Sequence, residues 1–101
     1  MIIYNVTVKI DRSIQVDWLN WMIEKHIPAV MQTNLFQNHQ ICRLLEQNES
    51  DGISYAIRYE CENMTDFFTY QKEFAPALQA EHVARYKDRF VAFRTLMRVI
   101  E

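Results

Sequence analysis

Hydrophobic and polar residues alternate along the first ten positions of the chain. One set falls on one side of an extended chain: Ile2, Tyr4, Val6, Val8 and Ile10. The positions between them carry Ile3, Asn5, Thr7 and Lys9. A period of two over this length predicts a β-strand with one buried face. The same alternation returns over 53–61 and predicts a second strand of this kind, which follows a turn with Asp51-Gly52 as its strongest element.

Two segments instead show the spacing of amphipathic helices. Between Ile14 and Met31 an apolar stripe is formed by Leu19, Met22, Ile23, His26, Ile27 and Val30. A second helix is predicted from Asp66 to Tyr86, with Thr65 as its cap and a stripe formed by Phe67, Tyr70, Phe74, Leu78 and His82. Pro28 is expected to kink the first helix, and Pro76 to bend or split the second.

Two further strands complete the pattern, at Phe36–Glu46 and Phe90–Ile100. Along the last strand, Arg94, Leu96 and Arg98 alternate with Val91, Phe93, Met97 and Val99. The order strand, helix, strand, strand, helix, strand predicts one α+β domain over 1–101 of ferredoxin-like βαββαβ type. It has a four-stranded antiparallel sheet and two helices on one face.

The other face of this sheet is expected to be open, because two helices cover only one side. We place Ile3, Thr7 and Ala56 on it, beside the polar residues Asn5, Arg58 and Arg94. A mixed face of this size favours burial against a second copy of the chain, so a homodimer packed sheet to sheet is expected. A slip of one residue in the last strand would exchange Arg94 with Phe93.

Composition and charge narrow the classes of partner. The net charge of -2 comes without a basic run, so nucleic acid is not an expected partner. No apolar run approaches the length of a membrane span, and the first residues lack the features of a signal peptide. A cytoplasmic location is therefore expected, with Cys42 and Cys61 as free thiols.

Three stretches of the sequence resemble a known family. They are MIIYNVTV at 1–8, EFAPALQAEH at 73–82 and FVAFRTL at 90–96. The sequence resembles the bacterial domain-of-unknown-function family 4286, of Bacteroidetes type, and the resemblance covers essentially the whole chain. The resemblance implies the dimeric α/β-barrel superfamily, in which two ferredoxin-like subunits join their sheets. It implies no activity, because that superfamily includes cofactor-independent monooxygenases, isomerases, haem-degrading enzymes and regulatory domains.

His26 and His82 are the candidate catalytic residues. Each lies on the apolar stripe of its helix, so both rings are expected over the same sheet and within one cavity. Imidazole titrates near neutral pH, which suits a general base or a pair that orients a ligand. The alternative is that each histidine only forms a structural hydrogen bond.

Candidate ligand-binding residues are Tyr70, Phe74 and Arg94. The aromatic rings could line a pocket for a flat aromatic or hydrophobic molecule, although such rings are more often core. Arg94 could bind a substrate carboxylate through two hydrogen bonds, or could instead pair with Glu60 across a dimer interface. Trp18 falls off the main stripe and is expected at an edge or an interface, as is Phe68.

No metal or cofactor is expected. The histidines and cysteines lack the spacing of metal ligands. Asn5, Tyr70 and His82 loosely match the residues that the resemblance associates with haem degradation, but Asn5 is expected on the open face of the sheet. The sequence thus favours a homodimeric small-molecule-binding protein, with a cofactor-free monooxygenase or isomerase as one form. The alternative is a non-catalytic regulatory or structural dimer.

Overall fold

Four antiparallel strands form the sheet of the computed structural model, which describes residues 1–101. Their order across the sheet is β2-β3-β1-β4, and each neighbouring pair is antiparallel. This arrangement confirms the predicted ferredoxin-like fold. The strands are β1 (Ile2–Ile10), β2 (Asn38–Arg43), β3 (Ile53–Cys61) and β4 (Phe90–Arg98).

The helical segments all pack on one face of the sheet, where they form a core of 18 buried residues with β1 and β3. A 3-10 turn (Arg12–Ile14) leads into α1 (Gln15–Trp21), a π turn (Met22–His26) and α2 (Ile27–Met31). The second helical segment consists of α3 (Met64–Glu73) and α4 (Ala75–Tyr86). None of these helices has the length and apolarity that crossing a membrane requires.

The π turn changes which residues of the first helical segment face the sheet. Pro28 has no N–H to continue the α-helical pattern, and the Ile27 N–H donates to the Met22 carbonyl, five residues back. The buried positions are therefore Trp18, Met22, Ile27 and Val30. Two predictions were wrong for this reason: Trp18 is 0% exposed and lies in the core, whereas Ile23 is 50% exposed.

The second helical segment starts earlier than predicted and breaks once. Its cap is Asn63, whose Oδ1 accepts from the Asp66 N–H at 2.9 Å, so the expected cap at Thr65 was wrong. The predicted split near Pro76 is confirmed, because Pro76 lies in the first turn of α4. Phe74, where α3 ends, has a φ of -123° and turns its ring outward, which leaves it 38% exposed.

The face assignment of β4 was also wrong. Arg94 pairs with Val6 of β1, so its side chain lies on the helical side of the sheet and not on the open side. Phe93 pairs with Thr7, and Met97 with Ile3, so both lie on the open face. The turn that leads into β3 does not fix the pairing of β4 with β1. Both sides of β4 carry apolar residues, so the alternation along this strand allows either side to face the helices.

Gly52 lies at a close approach of two backbones. A Cβ atom at this position would lie 3.0 Å from the Ile10 carbonyl oxygen. A side chain here would require the Ile10 carbonyl to shift by a few tenths of an ångström, so glycine avoids a tight contact where β3 begins beside the end of β1. β2 is shorter than the predicted Phe36–Glu46, and Phe36 is buried in the core just before it.

Candidate functional site

A cavity of about 350 Å³ lies between the helices and the sheet. Most of its wall is apolar, from residues such as Val8, Met22 and Val30. A smaller space of about 220 Å³ adjoins it and shares part of its wall. The polar side chains in the wall of the larger cavity are Tyr4, His26, Tyr59, Tyr70, Gln79, His82 and Arg94.

His82 reaches the cavity from α4 and is 8% exposed. Its Nε2 accepts a hydrogen bond of 2.9 Å from the Trp18 indole Nε1. Burial, and after it the nearby His26 and Arg94, which disfavour a further positive charge, together lower the pKa of His82 to about 4. At neutral pH the ring is therefore uncharged.

His26 reaches the same cavity from the π turn. Its ring centroid lies 5.9 Å from that of His82 and 5.2 Å from that of Trp21. Its Nδ1 is buried without a hydrogen-bond partner, so Nε2 is the nitrogen left for a ligand. Burial, followed by the charge of Arg94, lowers the pKa of His26 to about 4.

Arg94 brings the only cation into the wall of this cavity. Its Nε donates to the Tyr4 hydroxyl at 3.1 Å. No carboxylate lies within 4.0 Å of its guanidinium, because the four ion pairs of the molecule involve Lys9, Arg43, Arg85 and Arg89. Glu60, the alternative partner across a dimer interface, lies opposite Ile3 on the open face, on the other side of the sheet from Arg94. The guanidinium charge is thus left without a counter-ion.

Three tyrosines form the wall next to Arg94. The ring centroid of Tyr4 lies 6.1 Å from that of Tyr59 and 5.8 Å from that of Tyr70. Burial raises the pKa of Tyr59 and of Tyr70 above the usual value, so both hydroxyls stay protonated at any physiological pH. They can donate to a ligand oxygen but cannot supply a negative charge to balance Arg94.

Four of the five residues singled out from the sequence meet at this cavity: His26, Tyr70, His82 and Arg94. Phe74 does not, since its ring points outward at the break between α3 and α4. Sequence reasoning missed Trp18 and Tyr4 as partners of these side chains. One face of the first helical segment carries Trp18, Met22, Ile27 and Val30 only because a π turn interrupts it. A regular α-helical pattern therefore does not predict that Trp18 is buried.

The side chains do not fit a haem group or a metal ion. Asn5 lies on the open face, where it donates to Thr7, and is separated by the sheet from Tyr70 and His82. The Nε2 of His82 accepts a hydrogen bond from Trp18 and is not free to bind iron. No three His, Cys, Asp or Glu side chains lie close enough together to hold a metal ion.

Residues 1–100 match the model of a protein family described as domain of unknown function DUF4286. The chain belongs to the DUF4286 family. This confirms the resemblance that the three sequence stretches suggested. No curated protein matches this DUF4286 sequence.

Solved structures share the fold of this DUF4286 chain at low sequence identity. A candidate antibiotic biosynthesis monooxygenase from Deinococcus radiodurans aligns with a TM-score of 0.73 at 17% identity, covering 100% of this chain and 94% of its own. A MhuD variant with two manganese protoporphyrin IX molecules per active site gives 0.71 at 16%, covering 100% and 96%. SnoaB, a cofactor-independent oxygenase from Streptomyces nogalater, gives 0.64 at 9%, covering 99% and 94%.

The same fold also occurs without any natural function. The designed protein Foldit4 aligns with a TM-score of 0.67 at 8% identity, covering 97% of each chain. These similarities therefore show the fold of the DUF4286 chain and not its activity. Its chemistry has to be argued from the cavity.

Proposed function

We propose that this protein binds a small, flat, hydrophobic compound that carries an anionic oxygen. The observation that carries the proposal is the guanidinium of Arg94, which has no carboxylate partner, in the wall of a largely apolar cavity. Arg94 is exposed in the single chain, so water solvates its charge, and an anionic group on a ligand would replace that water with a charge-assisted, two-point hydrogen bond.

The size of the cavity limits the ligand. At about 350 Å³ it lies near the lower end of ordinary ligand sites, which range from about 300 to 1,000 Å³. A fused two-ring compound with one carboxylate, phenolate or enolate suits this space. Its rings would lie against Val8, Met22 and Val30, with its oxygen beside Arg94.

Binding of 2-naphthoate tests the proposal, with 2-naphthamide as a neutral ligand of the same shape. We expect naphthoate to bind and Arg94→Gln to weaken it about 10- to 100-fold, since hydrogen bonds to a charged group contribute about 1.5–3 kcal/mol. Arg58→Gln is the matched control, because Arg58 lies on the open face of the sheet. Isothermal titration calorimetry would contradict the proposal if naphthamide bound as tightly as naphthoate, or if Arg94→Gln had no effect.

A second candidate is proton-transfer catalysis without a cofactor, as in an isomerase or a monooxygenase. It is supported by His26, a neutral imidazole in the cavity wall whose Nε2 makes no hydrogen bond within the protein and is not buried. In this function Nε2 of His26 takes a proton from a C–H beside a ligand carbonyl, and Arg94 stabilises the enolate oxygen that forms. Solvent-deuterium exchange into 2-tetralone measures this step.

We also propose that the protein is a homodimer joined through its open sheet face. The helices leave that face uncovered, and β4 places large apolar side chains there, with Val91 67%, Phe93 63% and Met97 39% exposed. A second copy presents the same strip, and the low net charge of -2 opposes such pairing only weakly.

A further inference from the structure

The contact between Trp18 and His82 links the two helical segments above the cavity. The Trp18 indole Nε1 lies 2.9 Å from the His82 Nε2, and both side chains are buried. The indole ring is held in place from its other side, since its centroid lies 5.1 Å from that of Tyr55 on β3. The position of the indole N–H is therefore set by core packing and not by the ligand.

An indole N–H can only donate a hydrogen bond. The His82 Nε2 must then supply a lone pair, and a neutral imidazole keeps its single proton on the other nitrogen, Nδ1. We propose that Trp18 is a positioning residue that holds His82 as the Nδ1–H tautomer, so that His82 donates a hydrogen bond to a ligand oxygen in the cavity. This inference rests on the proposed binding of an anionic ligand.

The Nδ1 of His82 is free to make that bond. It has no hydrogen-bond partner within the protein. If it were also buried, it would be an unpartnered buried atom, but the only such side-chain nitrogen or oxygen is Nδ1 of His26. The His82 Nδ1 is therefore not sealed inside the core, and the residue lines the cavity. A charged imidazolium would place a second N–H against the indole N–H, which agrees with the lowered pKa of His82.

Fixing this tautomer gives the two histidines different roles. His82 can donate but cannot accept a proton at the nitrogen that faces the ligand, so it cannot serve as the general base. His26 has no such partner and remains the base candidate. Both Arg94 and His82 then present N–H donors to the cavity, so the site selects acidic oxygen compounds over amines of the same shape.

Nitrogen-15 NMR of the ligand-free protein tests the tautomer directly. We expect His82 Nδ1 to show the chemical shift of a protonated ring nitrogen and Nε2 that of an unprotonated one. Trp18→Phe should shift the pair toward the averaged values of free imidazole. Trp21→Phe is the matched control, because the Trp21 ring also packs on His82, at 5.9 Å, yet the bond to Nε2 comes from Trp18.

Binding of 2-naphthoate then tests the role. Trp18→Phe should weaken it by up to about tenfold, because the ligand must then select the Nδ1–H tautomer itself, and the energy of one hydrogen bond to a charged group sets the upper limit of that loss; Trp21→Phe should leave it within about twofold. If Trp18→Phe does not fold, replacement of Trp18 by 3-benzothienylalanine keeps the ring shape and removes only the N–H.

The two readouts separate failure of the inference from failure of the proposed function. A protonated Nε2 in the wild-type protein, or naphthoate affinity that is unchanged on loss of the indole N–H, overturns the inference while anion binding stands. Absence of naphthoate binding to a wild-type protein with the expected tautomer overturns the proposed function, and the role of Trp18 in it.

Discussion

Burial and one neighbouring guanidinium set the charge of the two histidines in the cavity. Both His26 and His82 have a pKa of about 4 because their charged forms lose water and face Arg94. The hydroxyls of Tyr59 and Tyr70 stay protonated, because burial raises their pKa. The cavity thus holds one fixed positive charge and no negative one over the physiological pH range, which favours an anion at the residue level.

The pKa of His26 predicts the pH dependence of proton transfer. A base must be unprotonated to act, and His26 is unprotonated above about pH 4. We expect deuterium exchange into 2-tetralone, followed by proton NMR, to be accelerated about 100-fold at a constant level between pH 5 and pH 7. The acceleration should fall as the pH drops through about 4, because His26 then gains a proton.

His26→Asn should abolish this acceleration, whereas His39→Asn should not, since His39 is exposed on β2 outside the cavity. Circular dichroism at each pH checks that the fold persists. A rate that falls already near pH 6.5, the usual value for histidine, would show that burial does not set the pKa of the base. Equal exchange in both variants would remove His26 from the reaction.

At the level of elements, two helix breaks decide which side chains reach the cavity. The π turn shifts the buried face of the first helical segment, so that Trp18 and His26 both point toward the sheet side. The break at Phe74 separates the stripe of α3 from that of α4, so His82 is buried although Phe74 is not. Both breaks lie just before a proline, where an interrupted helical bond is expected.

The start of α3 allows a test of which residue caps this helix, because the structure and the sequence pattern give different residues. Asn63→Ala removes the side-chain acceptor of the Asp66 N–H and should lower the free energy of unfolding by about 1 kcal/mol. Thr65→Ala should change it by less than about 0.5 kcal/mol, because Thr65 is an exposed position inside the helix. Urea denaturation measures both, and a larger loss in Thr65→Ala would restore Thr65 as the cap.

At the level of the whole molecule, the two faces of the sheet have different surroundings. The helices cover one face, and the cavity lies between these helices and the sheet. The other carries apolar residues of β4 that remain exposed in the single chain. The open face is more apolar than the sequence suggested, because the pairing of β4 with β1 places Phe93 there and Arg94 on the helical side.

Sedimentation equilibrium at micromolar concentration tests the homodimer. We expect a dimer for the wild-type chain and a monomer for Phe93→Glu, since a carboxylate in the centre of an apolar interface is costly to bury. Phe68→Glu is the matched control: Phe68 is similarly exposed, at 56%, but lies on α3. A monomeric wild-type chain, or equal dissociation by both variants, contradicts pairing through the sheet.

The sequence alone determined the order of the elements, the antiparallel sheet and the presence of both histidines on the helical side. Those features follow from local periodicity, which is written into consecutive residues. The helix phases, the side of Arg94 and the bond from Trp18 to His82 were decided only by the tertiary structure. They depend on backbone breaks and strand register, and hence on contacts between residues far apart in the chain, such as positions 18 and 82, that no local pattern encodes.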